Sequence, residues 1–299
     1  IQEYVKTYAY NNATWDDLIT ILDRKTEEDL VSFSDVWVNE KGMPHISFTR
    51  IGQQLIIRQS DPYQRGLIWP QSFQITMKGE TDKLLEINLN DSTLVLNLPE
   101  DTYAILPNTD GRGYGLFIPD ANSREWLLKH WQETKDDTAR QSLLMLLYEN
   151  YQANLISDQI WMNTLLSGLS AEKNALTAST ICSYLGEPLR KIGNEETEEK
   201  IWEWSEKHPI PSCKLQLIRS LISNTNSMAS IERIYQLWKD QSHPLLNERD
   251  YMNMAYELAI RKPSLHDSII DTQRNRLSNP DRLREFDFIS KAVTPDTLK

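Results

Sequence analysis

Little in this chain supports the common small-site chemistries. Cys182 and Cys213 are the only cysteines among 299 residues, at neither a metal-ligand nor a C-x-x-C spacing, so they read as two buried thiols. Basic residues are in deficit, 32 Lys and Arg against 43 Asp and Glu, for a net charge of −11. Phosphate contacts need a basic surface, so this balance argues against a nucleic-acid partner. No apolar run approaches the roughly 18 residues that a membrane span requires. The histidines are His45, His130, His208, His243 and His266, and no two are four apart, so the zinc signature H-E-x-x-H is absent. A G-x-S-x-G nucleophile elbow is absent too. Gly111, Gly113 and Gly115 form GRGYG, but Leu116 stands where a phosphate-cradling loop needs its third glycine, so a turn between domains is expected. The chain has no signal peptide and opens on Ile1, from which a processed or engineered start is expected. The compartment stays open between cytoplasm, periplasm and the secreted space.

What is present is enough for large cores: 39% hydrophobic residues and 9 tryptophans exclude a disordered chain. Three zones differ in period. Residues 1–38 are helical: Thr14 can cap a helix starting at Trp15, with Asp16 and Asp17 in its first turn and Leu18, Ile21 and Leu22 at helical spacing. Thr26 with Asp29 predicts a second cap, opening a helix through Leu30, Phe33 and Trp37 that Gly42 and Pro44 end. Residues 39–107 switch to period two. Phe73, Ile75 and Met77, then Leu85, Ile87 and Leu89, then Leu94, Leu96 and Leu98 alternate with polar neighbours, which predicts a small antiparallel β-sandwich. Asn12-Ala13-Thr14 and Asn90-Asp91-Ser92 match the glycosylation sequon, the first better explained as a helix cap.

Residues 108–299 read as helices of about 12–16 residues with short breaks, the pattern of stacked antiparallel pairs in a HEAT-like α-solenoid. Leu143, Leu144, Leu147, Tyr148 and Tyr151 make one apolar stripe; Ile231, Ile234, Tyr235 and Trp238 make another. Breaks are expected at Gly168, Gly186-Glu187-Pro188, His208-Pro209, His243-Pro244, Lys262-Pro263 and Asn279-Pro280. No residue-by-residue repeat supports the solenoid. His208 and His243, each before a proline, read as helix C-terminal residues. EETEEK from Glu195 reads as a solvated first turn, and Trp126, Trp131, Trp161, Trp202 and Trp238 as core.

The first forty-five residues carry a resemblance. Tyr4, Tyr10, Asn12, Ala13, Thr14, Trp15, Asp17 and Leu18, followed by Trp37, Gly42 and Pro44, resemble the run that closes the catalytic domain and opens a small β domain in the aminopeptidase N family of zinc metallopeptidases. Gln59, Trp69 and Pro70 are similar to the family's next motif, with Pro70 directly after Trp69 as a departure. Asn108, Gly113, Tyr114 and Trp126 match the junction with the C-terminal helices, with Gly115, Leu116 and Pro119 in place of the usual residues. NPDRLREFDFISKAVTPD resembles a helix pair inside the family's helical domain. The likeness spans the chain and is weakest between about 150 and 275.

The resemblance implies a zinc aminopeptidase parent. Residues 1–38 would be the terminal helices of its catalytic domain, 39–107 its β-sandwich and 108–299 a truncated helical domain that encloses the active-site cavity and limits substrate access. The partners implied are that catalytic domain and the parent's peptide substrates. H-E-x-x-H and the family's G-x-M-E-N motif are missing, so no catalytic, cofactor or metal residue is assigned, and zinc is expected only in the parent. A free-standing helical scaffold binding a basic protein or peptide is the alternative, and a parent that has lost its zinc ligands is a third. Exposed apolar surface is expected on residues 1–38 and around Phe286, Phe288 and Ile289.

Overall fold

The computed structural model describes residues 1–294. The fold is mixed α+β: short N-terminal helices, two small β-sheets forming a sandwich, then a stack of helices. The chain divides into two compact units, Ile1–Leu155 and Ile156–Lys299.

The first unit opens with α1 (Gln2–Thr7), α2 (Trp15–Asp23) and α3 (Leu30–Ser34), which widens into a π-helical turn, Asp35–Asn39. Thr14 caps α2 in a complete capping box. Its hydroxyl accepts the Asp17 N–H at 3.3 Å, and the Asp17 carboxylate accepts the Thr14 N–H at 2.9 Å. The second cap differs from the sequence expectation. Asp29 rather than Thr26 caps α3, taking the Ser32 N–H at 2.9 Å, because the Asp23 carboxylate already holds the Leu30 N–H at 2.9 Å and sets the start one turn later.

Seven strands follow: β1 (His45–Ile51), β2 (Gln54–Ser60), β3 (Gln71–Lys78), β4 (Lys83–Leu89), β5 (Thr93–Asn97), β6 (Ala104–Leu106) and β7 (Leu116–Ile118). They form one sheet in the order β5-β2-β1-β7 and another in the order β4-β3-β6. Period two places Ile46, Phe48, Leu55, Ile57, Phe73, Ile75 and Met77 in the core. The Phe73 ring bridges the sheets, edge-on to Phe117 at 5.0 Å and to Phe48 at 6.5 Å. The sheet continues past residue 107, because β7 runs parallel to β1, with His45 opposite Leu116. Helices α4 (Ala121–His130) and α5 (Asp137–Gln152) close the unit. Asn150 Nδ2 donates to the Phe117 carbonyl at 2.7 Å, and Ser123 Oγ accepts the Ile105 N–H at 2.8 Å.

The second unit holds α6 (Asp158–Ala171), α7 (Ala175–Tyr184), α8 (Gly186–Ile192), α9 (Glu195–Lys207), α10 (Pro211–Asn224), α11 (Met228–Asp240), α12 (Glu248–Arg261), α13 (His266–Arg276) and α14 (Pro280–Ile289). Breaks fall at the expected His-Pro, Lys-Pro and Asn-Pro pairs, while the one expected at Gly186-Glu187-Pro188 falls just before it, at Leu185, with Pro188 inside the first turn of α8. Gly168 is the exception: it lies buried inside α6, which runs through it. α10 packs on α7, α9 and α12, and α12 on α11 and α13.

A repeat invisible in the residue types emerges in the hydrogen bonds. Asn226 Nδ2 donates to the Leu189 and Arg190 carbonyls of α8, 37 and 36 residues back. Arg261 donates to the Thr225 and Ser223 carbonyls past and within α10, 36 and 38 back. Arg276 donates to the Trp238 and Lys239 carbonyls of α11, 38 and 37 back. In each case the donor lies at or just past the end of one helix and bonds to carbonyls around the C-terminal end of the helix two back, where most carbonyls lack an intrahelical partner. The chemical type of the donor varies, so no sequence repeat is seen.

Candidate functional site

The residues that carried the resemblance sit in joints of the first unit. Gln59, 4% exposed, donates from Nε2 to the Asp91 carbonyl at 3.0 Å, and its Oε1 accepts the Trp69 N–H at 3.0 Å. It ties the β2–β3 loop to the β4–β5 turn. Asn108 grips the backbone of Gly113, accepting its N–H at 2.8 Å and donating to its carbonyl at 3.0 Å. A β-carbon on Gly113 would lie 2.6 Å from Phe117 Cζ, which explains the glycine. Gly42 has φ +101°, and a β-carbon there would meet Tyr63 Cε2 at 2.7 Å. The Arg65 guanidinium lies 4.9 Å from that ring's centre and donates to Asp61, Glu40 and the Lys41 carbonyl. The Arg65 side-chain hydrogen bond first, then the Tyr63 and Arg65 N–H groups, hold the Asp61 carboxyl well below the usual carboxylate range. The Pro44 carbonyl accepts the Leu116 N–H at 2.9 Å, so the linker after α3 is joined to β7.

Beside these joints lies a groove of about 850 Å³, within the volume range of ligand sites. Leu30, Phe33, Val36 and Trp37 present one apolar stripe to it. Ile68, Pro70, Ser72, Asn88 and Asn90 line it from the second sheet and its loops, with Arg112 beside them. Phe33 stacks on Trp37 at 5.7 Å, and Trp37 meets Tyr114 at 5.8 Å. Trp37 Nε1 is buried without a hydrogen-bond partner among the described residues. Sequence reading missed this groove because its lining comes from separate stretches of chain, none with a motif of its own.

The other candidates are placed as follows. His130 Nδ1 meets Glu133 at 2.8 Å, and His45 starts β1. His208 is the C-cap of α9, and its Nδ1 accepts the Ile210 N–H at 3.1 Å. His243 lies beyond the end of α11, in a turn, where Nδ1 accepts the Leu245 N–H at 3.3 Å and burial holds its pKa below the ordinary value. Its expected place at a helix terminus is therefore corrected; α11 stops earlier because Gln241 takes a left-handed conformation. Cys182 and Cys213 are buried and free, and burial pushes both thiols up, which suppresses the reactive thiolate. Trp131, Trp161, Trp202 and Trp238 are core, while Trp126 is half-buried under Lys78.

The acidic run departs from its expected solvated role at one position. Glu198 is 0% exposed and faces the start of α11, accepting the Asn226 N–H at 2.6 Å, the Ser227 N–H at 3.2 Å and the Ser227 hydroxyl. Phe286 is also buried, stacked on Tyr256 at 5.0 Å, so of the three residues expected at an open end only Phe288 is strongly exposed. Burial pushes the Tyr256 hydroxyl up to about 12.

Among the described residues no group of three or more His, Cys, Asp or Glu is placed to hold a metal ion, and no helix is long and apolar enough to cross a membrane. Compared with known proteins, the chain matches no protein-family model and no curated protein.

Proposed function

We propose that this chain is the non-catalytic C-terminal region of an aminopeptidase N-type zinc metallopeptidase. The observation that carries the reading is that the separate motifs of the resemblance meet one another. Trp37 from the first touches Tyr114 from the junction motif, and Pro44 bonds to Leu116 beside it. Gln59 and Trp69 of the middle motif bond directly. Support also comes from α1–α3, where Ile1, Val5, Trp15, Val31 and Val38 are exposed, a surface that a catalytic domain would cover. In this reading the zinc and the removal of N-terminal amino acids belong to an H-E-x-x-H domain preceding Ile1. The helical unit encloses the cavity and limits which peptides enter.

The test has two arms. The coding sequence upstream of Ile1 is expected to carry H-E-x-x-H in frame; a native start codon at this point would favour the free-standing scaffold instead. The chain alone, given zinc and aminoacyl chromogenic substrates, is expected to show no turnover. Chelator-sensitive turnover that persists through repurification would refute the proposal.

A further inference from the structure

We infer that the groove walled by Phe33 and Trp37 binds an extended peptide segment in which a lysine or arginine lies two residues from an apolar residue. This does not depend on the aminopeptidase reading.

Charge selects the partner. Among the described residues no lysine or arginine pairs with Glu28 or Asp29; the Asp29 carboxylate accepts the Ser32 N–H and hydroxyl. Arg112, the one cation among the described residues lining the groove, is neutralised by Glu86, at 2.6 Å and 2.7 Å, and by Asp110. The groove is therefore net acidic, and a basic side chain is the complement it lacks. The aromatic stripe takes the apolar residue. Phe33 stays 43% exposed although its ring stacks on Trp37, so one ring surface is open to a ligand.

The polar groups fit a backbone. Trp37 lines the groove with its Nε1 buried and without an acceptor among the described residues, so its indole N–H resonance reports on what packs against that wall. Asn88 uses its oxygen for the Ser72 hydroxyl at 2.6 Å, leaving its amide N–H groups available, and Asn90 makes no side-chain hydrogen bond among the described residues. Spacing sets the register. From Asp29 to Phe33 is about one helical turn, a rise of ~6 Å. Alternate side chains on one face of an extended strand are ~7 Å apart.

The probe is the acetylated, amidated peptide Ser-Leu-Ser-Lys-Ser, titrated into the ¹⁵N-labelled chain. The readout is the Trp37 indole N–H resonance, assigned by its loss in Trp37→Phe. A saturable shift of that resonance is expected. Replacing the peptide's Lys by Glu, or its Leu by Ser, should abolish or strongly weaken it. Glu28→Lys, a surface change that leaves folding intact, should weaken binding by about threefold or more, the scale of an exposed charge pair. Phe33→Ala should weaken it as well. No shift at millimolar peptide, equal shifts from the Lys and Glu peptides, or Glu28→Lys binding like the parent would each overturn the inference.

Discussion

Removing the Glu198 carboxylate tests how the helical unit is stitched. The group is fully buried and accepts two backbone N–H groups at the start of α11. Glu198→Ala leaves both part-buried donors without their acceptor. At about 1.5 kcal/mol each, the loss is about 3 kcal/mol, the Ser227 hydroxyl being free to rotate elsewhere. A loss of that size lowers the melting temperature by about 6–12 °C in a unit of this size. Glu198→Gln keeps one oxygen as acceptor and should lose about half as much. The pH dependence follows from the charge. Burial pushes the carboxyl up, but the Asn226 N–H and the Ser227 hydroxyl more than offset it, so the folded pKa lies below the ordinary value. A depressed folded pKa means that the stabilisation is present above the unfolded value of about 4.3 and is lost as pH falls through the folded one. Urea melts followed by circular dichroism at pH 7, 5, 4 and 3 should show the gap between the parent and Glu198→Gln narrowing below about pH 4. A gap of constant size across that range, or a Gln variant as stable as the parent at pH 7, would refute the argument.

Three other outcomes are expected. Gly42→Ala should destabilise the first unit by about 2 kcal/mol and Gly52→Ala by about 1, read from thermal melts, since both need positive φ. Of the two, Gly42 has the larger φ, +101° against +58°, and the new carbon would lie against Tyr63, whereas that on Gly52 meets nothing. Arg261→Ala and Arg276→Ala should each speed amide exchange in the repeat whose carbonyls they hold, around the end of α10 and of α11 respectively, and not in the other. His266 meets the Asp267 carboxylate through Nδ1 at 2.9 Å and the Val293 carbonyl through Nε2 at 3.0 Å. These acceptors, Asp267 first, raise its pKa, so the contact stabilises fully below about pH 6.5 and is lost as pH rises through the raised value. An NMR titration should find that pKa above the ordinary one, and Asp267→Asn should lower it.

The sequence by itself determined where the elements lie. The switch from period 3.6 to period 2 and back is a property of neighbouring residues, so helices, strands and the proline breaks were legible without a fold. Thr14 could be named as a cap because its partner is three residues away. The glycines and aromatics of the first unit could be quoted as a resemblance, but their work could not. Gly42 is fixed by Tyr63, Gly113 by Phe117 and Pro44 by Leu116, contacts that exist only once the sheets have closed. Tertiary structure alone turned Glu198 from one acid in a charged run into a buried acceptor, because its donors lie 28 and 29 residues onward. The same holds for the repeat of carbonyl caps, which is conserved in geometry while its donors change between Asn and Arg. Hydrogen-bond acceptors at a helix end require a donor at a place, not a residue at a spacing. That is why the pattern is written in the folded chain and not in the linear one.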